Sequence, residues 1–364
     1  MFPDNIYSYF LTKDKILNYK SFGKAIIGTL CDSVPEEVIH STGAVPLRML
    51  GLSKTTENAD VKMPSWLCYY SRRILEDGLR GHFRYVDGVI GACSDDTKMR
   101  LYSLYKFHVK PTFSHILQLP LDEDEKSILF FRDELAILAR KLASFLRSDW
   151  SMDKLEGSLK IYNRFRSLCQ ELNELRVGDS PKISGVDYMK TILGSTSMLK
   201  EDFNVNVQKL LENLKDAEGI KDYKLRVHVS GPEFYDVELL ELIESLGAVI
   251  VSDDLSTSYV KGHIDEHGDL LRNVAKHYLN CPSLAFFRIG AKDKIQLIKD
   301  EVERSRAEAL IILRDKGCEN YGWLCPLITE ELGDFPALVL DIDTPIFPEQ
   351  YKTRIEAFIE TLSD

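Results

Sequence analysis

The chain has 364 residues, 44% of them apolar, and a formal net charge of −11. That length exceeds what one ordinary core organises, and that apolar content belongs to folded chains rather than disordered ones. The acidic balance speaks against a nucleic-acid binder, and no apolar run reaches the 18 residues of a membrane span.

The N-terminal stretch MFPDNIYSYFLTKDK lacks the basic start and apolar core of a secretory signal, so a cytoplasmic location is expected. The first apolar run, Lys24 to Leu30, reads as a buried strand, and CDSVPEEVIHSTG follows it. There Pro35 suits the first position of a helix, Glu36 and Glu37 its positive start, and Gly43 its stop. Ala44 to Leu50 predicts a second strand, Pro64 to Gly81 a helix, Val86 to Ala92 a third strand and Val109 to Ile116 a fourth. Short apolar strands alternating with helices predict a parallel sheet covered on both faces.

From Ser127 to Leu214 the apolar residues recur at helical spacing and no strand is predicted. A second alternating half begins near Tyr223. Its strands are Leu225 to Gly231, Ala248 to Asp254, Glu308 to Asp315 and Ala337 to Asp343, and an amphipathic helix closes the chain. We therefore expect an α/β protein of two doubly wound, Rossmann-like parallel-sheet domains, residues 1–126 and 223–364, with a helical linking segment, 127–222, between them. Each half has its own apolar strands and could retain a core.

Seven cysteines mark this map. In a reducing compartment they are not expected to pair, which leaves burial, catalysis and metal binding. Cys31 follows the first strand, Cys93 the third, and Cys318 lies three residues past the strand ending at Asp315. Ligands of open α/β sheets bind outside the carboxyl ends of the strands. Cys68 stands near a helix start, where the dipole favours a thiolate. These wide spacings match no zinc ribbon; they allow an iron–sulfur site, while buried structural cysteine is the commoner explanation. Cys169, within a helical run, reads as core.

Other residues have paired readings. Glu36 and Glu37 are candidate acid–base groups or simply helix-start carboxylates, and His40 packs or faces the site. Arg72 and Arg73 attract a phosphate or solvate a helix face. His263 and His267 have metal-binding spacing, yet Gly262 and Gly268 bracket them and favour a loop. There is no GxxxxGK[ST] and no GxGxxG, so ATP or dinucleotide binding is not indicated.

The segments GKAIIGTLCDSVPEEVIHSTGAVPLRMLG, LCYYSRRILEDGLRG, VDGVIGACSDDTKMRLY, KGCENYGWLCPLITEELGDFPALVLDID and TRIEAFIE resemble, in order and over almost the whole chain, the 2-hydroxyacyl-CoA dehydratase/benzoyl-CoA reductase family. The resemblance implies a [4Fe–4S] cluster held by Cys68, Cys93 and Cys318. The family's larger double-cubane [8Fe–9S] alternative would recruit Cys31, Cys281 and Cys325, although the threonine-cysteine-aspartate-glycine-lysine run associated with that subgroup is missing. A second departure is that the family places aspartate directly after its second cluster cysteine, whereas here Ser94 stands between Cys93 and Asp95.

The implied activity is that of an anaerobic lyase acting on an acyl-CoA. An ATP-dependent iron–sulfur activator delivers one low-potential electron, the thioester becomes a ketyl radical, the 2-hydroxyl leaves and the β-proton becomes acidic. An open iron binds the substrate oxygen, or the cluster only relays electrons. The implied partner is a paralogous subunit in a heterodimer, or a second copy in a homodimer. The competing expectation is a low-potential reductase or electron-transfer protein of the same family.

Overall fold

In the computed structural model, residues 2–258, 260, 262–281, 291–343 and 345–363 are described. The first sheet holds β1 (Ile26–Thr29), β2 (Val45–Arg48), β3 (Gly88–Ala92) and β4 (Phe113–Leu117), in the order β2-β1-β3-β4 and parallel throughout. The second holds β5 (Leu225–Ser230), β6 (Ala248–Asp253), β7 (Ala309–Asp315) and β8 (Ala337–Ile342), in the order β6-β5-β7-β8 and again parallel. The expected fold class is therefore the observed one, and both halves share one topology. Strands β1, β3 and β6 are buried along their length, which is why they read as continuous apolar runs rather than as alternation.

Between the sheets lie the helices Glu125–Leu146, Met152–Glu174, Gly185–Ser195 and Lys200–Lys215. Asp124, Ser151 and Ser184 cap the first three by accepting backbone N–H bonds from Ser127, Lys154 and Asp187. No strand interrupts this segment, as its helical spacing predicts.

One buried cluster contains Ile26, Leu47 and Val89 of the first sheet together with Val227, Ile250 and Leu313 of the second. The halves thus share apolar packing. The helix Tyr69–Arg80 forms the junction. Tyr69 packs edge-on against Phe234 (ring centroids 6.4 Å) and Tyr70 against Tyr235 (5.9 Å). Arg73 bonds both oxygens of Asp236 at 2.8 and 2.7 Å and lies over the Tyr235 ring. Arg72 is also buried, bonding the Leu67 carbonyl and Asp60. Neither arginine solvates a helix face: Arg73 ties the two halves together, and Arg72 is held within the first half.

Candidate functional site

Strand orders of this kind leave a crevice where chain direction over the sheet reverses, between β1 and β3 in one half and between β5 and β7 in the other. The two crevices face each other across one cavity. Its wall takes Asp32 and Ser33 after β1, Ser94 and Asp95 after β3, Glu233 after β5, and Asp315, Gly317 and Cys318 at the end of β7, with Cys68 and Lys98 beside them. The cavity measures about 810 Å³ out to its mouth.

Cys68 and Cys318 come from different halves and meet here. Each occupies the N-cap position of a helix, Tyr69–Arg80 and Glu319–Leu332, and neither side chain makes a capping bond. The Cys68 thiol donates to the Ser71 hydroxyl at 3.3 Å, and both sulfurs stand at positive helix ends, an arrangement suited to thiolate ligands. A third helix, Asp96–His108, starts at the same cavity, capped by Asp95, which accepts the Lys98 N–H at 2.7 Å.

Two residues hold the thiol-bearing turns together. The Asp315 carboxylate accepts the Tyr69 N–H at 3.0 Å and the Gly317 N–H at 2.8 Å, so it ties the end of β7 to the helix that carries Cys68. Gly317 lies against Leu67 and Cys68; a Cβ there would stand 2.5 Å from the Leu67 carbonyl oxygen and 2.8 Å from the Cys68 Cα. Only a residue without a side chain allows the two turns to approach this closely.

The electrostatics are those of a desolvated acidic pocket with one strong internal ion pair. Lys98 bonds Glu233 at 2.6 Å across the two halves and sits over the Tyr70 ring. Burial opposes the Lys98 charge, but Glu233 and Cys68 outweigh it and hold the amine well above its usual range. Burial raises the Cys68 thiol to about 11 and lifts that of Cys318 well above its usual range, so both carry protons at neutral pH. Burial also raises Asp315 to about 6 and, together with Glu233, Asp32 to about 7.

The other expected residues lie elsewhere. Cys93 is half-buried and does not line the cavity with Cys68 and Cys318; burial raises its thiol above the usual range. Cys31 is buried among Ile27, Ile90 and Ala92, Cys325 among Tyr321, Leu324 and Ile328, and Cys169 in the helical core, as expected for it. Residues 262–268, with His263 and His267, form a loop.

Glu36, Glu37 and Cys281 line a second cavity with Arg48, Arg166, Lys200, Tyr278 and His277, and this cavity shares Asp32 and Ser256 with the first. Glu36 pairs with Lys200 at 2.9 Å and Arg48 at 3.3 Å. Burial works against its charge, but these two cations outweigh it and keep the carboxyl below its usual range. Glu37 bonds Arg166 and accepts the Tyr278 hydroxyl at 2.9 Å. Burial, then Arg166 and His263, lower His277 from 6.5 to about 3.

Sequence reasoning missed Lys98, Glu233, Asp315 and Gly317. Their signal is positional: each lies within a few residues of a strand's carboxyl end. It becomes usable only once the two halves are known to face each other.

Fold and site together define a class: a two-domain α/β protein with thiols from both domains on one interdomain cavity. The chain belongs to the 2-hydroxyglutaryl-CoA dehydratase D-component family, whose model matches residues 31–362. It is similar to lactoyl-CoA dehydratase subunit beta of Anaerotignum propionicum, 25% identical over 93% of this chain and 92% of that protein. Similarity extends to (R)-2-hydroxyglutaryl-CoA dehydratase subunit beta of Acidaminococcus fermentans, 24% identical over 96% of each chain. It also reaches one of the subunits of benzoyl-CoA reductase from Thauera aromatica, 24% identical over 79% of this chain and 76% of that one.

Proposed function

We propose that this chain is the iron–sulfur subunit of a 2-hydroxyacyl-CoA dehydratase-like enzyme, with a [4Fe–4S] cluster held by Cys68 and Cys318. The observation that carries this reading is two cysteine thiols, one from each half, at helix N-termini on one cavity. Iron–sulfur clusters take thiolate ligands from separate chain segments, and soft sulfur donors suit them. The double-cubane alternative finds less support, because Cys31, Cys281 and Cys325 do not line this cavity.

A bound cluster supplies one-electron chemistry at low potential. The chain's own residues then have distinct tasks. Asp315 and Gly317 fix the spacing of the two thiols, and the Tyr69, Tyr70 and Tyr235 packing keeps water from one side. The acidic wall opposes added negative charge and so favours a low potential. The adjoining polar cavity would receive the acyl thioester, with Glu36 and Glu37 as candidate proton acceptors and Asp32 on the dividing wall. An ATP-dependent iron–sulfur activator and a paralogous subunit, or a second copy of this chain, complete the proposed assembly.

Anaerobic purification tests the reading. The protein should be brown and carry about four irons per chain with matching acid-labile sulfide. Cys68→Ala and Cys318→Ala should each lose most of the iron, whereas Cys169→Ala should keep it. Zinc alone, with no sulfide after anaerobic reconstitution, would overturn the reading. Similarity to the benzoyl-CoA reductase protein of Thauera aromatica supports a second one, a reductase or electron-transfer role for the same site. Reduced, activator-charged protein that fails to dehydrate any 2-hydroxyacyl-CoA but passes electrons to another acceptor would favour it.

A further inference from the structure

We infer that Ser94, not Cys93, supplies the third protein donor to the metal group of this cavity, which is then held by two thiolates and one serine oxygen. The inference rests on the proposed cluster site and concerns its ligand set.

β3 ends at Ala92, and the next N–H, that of Cys93, still donates to the Leu117 carbonyl at the end of β4. Cys93 therefore continues the pleat, and its neighbour Ser94 is directed to the opposite side. Ser94 lines the cavity with Cys68 and Cys318, and Cys93 is not among the lining residues.

Two contacts fix this register. Asp95 caps the following helix by accepting the Lys98 N–H, and the Lys98 amine bonds Glu233 in the other half. A one-residue slip that carried Cys93 to the cavity would break both.

The second half repeats the pattern independently. β7 ends at Asp315, and the next N–H, that of Lys316, donates to the Ile342 carbonyl at the end of β8. Lys316 points outward to Asp343, whereas Gly317 and Cys318 line the cavity. In both halves a three-residue connection links strand to helix, the first residue faces away and the next two face in. Cys93 holds the outward position.

The chemical consequence is an asymmetric ligand set. To bind iron, the Ser94 O–H bond breaks, an Fe–O bond forms and the proton leaves to water. A serine hydroxyl gives up its proton less readily than a thiol, and its harder oxygen suits a soft cluster iron less well. That corner is the weakest of the three.

The test is anaerobic reconstitution of the full chain and four variants, read by iron and sulfide content, EPR of the reduced state, reduction potential and iron loss to a chelator. Ser94→Cys should slow iron loss several-fold, change the EPR spectrum and raise the potential, because a hard alkoxide favours the oxidised state. Ser94→Ala should speed iron loss, with circular dichroism unchanged. Cys93→Ala and Cys93→Ser should match the parent in every readout. Cluster loss in Cys93→Ala with retention in Ser94→Ala would overturn the assignment, as would a Ser94→Cys spectrum identical to the parent. Absence of any cluster from the parent and from Ser94→Cys would instead refute the site itself, and the assignment with it.

Discussion

The two halves of this molecule solve the same problem differently at the turn after their third strand. In the first, Asp95 closes the turn and spends its side chain on the helix that follows. In the second, Cys318 occupies the equivalent cap and makes no capping bond. Asp315, three residues earlier, bonds instead to the Gly317 N–H of its own turn and the Tyr69 N–H of the other half. The first turn is thus self-sufficient and presents an oxygen, whereas the second leans on the opposite half and presents a thiol. One topology yields two chemistries because the capping residue either satisfies the helix or remains free for a ligand.

The largest effect should come from separating the halves. Arg73→Ala removes the bidentate partner of Asp236 and leaves that carboxylate poorly solvated, a loss of about 3–5 kcal/mol for a buried pair. Urea unfolding should show a lower midpoint, and a shallower slope if the halves then unfold separately. An unchanged curve would mean that the junction packing suffices without the pair.

Gly317→Ala comes next. Its methyl would meet backbone at 2.5 Å, so the turns must move apart. About 1–3 kcal/mol is expected for such overpacking, with reduced iron content because the two thiols separate. Ser94, its counterpart in the first half, should accept alanine without a comparable drop in melting temperature.

Asp315→Ala removes two backbone bonds, and about 1–2 kcal/mol is expected from the loss of a capping carboxylate. Asp315→Asn keeps one acceptor oxygen and should lose less. Thermal unfolding of the pair distinguishes a capping role from mere volume.

The smallest effect is one of pH. His277 titrates near 6.5 when unfolded and about 3 when folded, so between these values the unfolded chain binds the extra proton. Stability should therefore fall as pH drops below about 6.5, with a slope of at most about 1.4 kcal/mol per pH unit from this group. His277→Gln should flatten that slope, measured by urea midpoints from pH 7 to 4. A parallel dependence in both proteins would assign the acid sensitivity to the carboxylates.

Much of the architecture is legible in the sequence because its signals are local. Continuous runs such as Ala309–Asp315 announce buried parallel strands, and the spacing in Met152–Glu174 announces a helix. Cys68 and Cys318 stand out because each lies at a strand or helix boundary. Arg72 and Arg73 mislead because a basic pair on a helix looks solvated until its partners are known: Asp60 and the Leu67 carbonyl for Arg72, and Asp236 of the other half for Arg73.

What the sequence determined by itself is thus the order of elements, two parallel-sheet halves and the cysteines at their boundaries, since these follow from periodicity and chain-local geometry. Only the tertiary structure decided that Cys68 and Cys318 share a wall with Ser94 and Asp315, that Cys93 does not line it, and that Glu36 and Glu37 occupy an adjoining cavity. The physical reason is that the facing of a residue at a strand's end reverses with a shift of a single position. Which position is correct is fixed by bonds such as Cys93 to Leu117 and Lys98 to Glu233, whose partners lie far away along the chain.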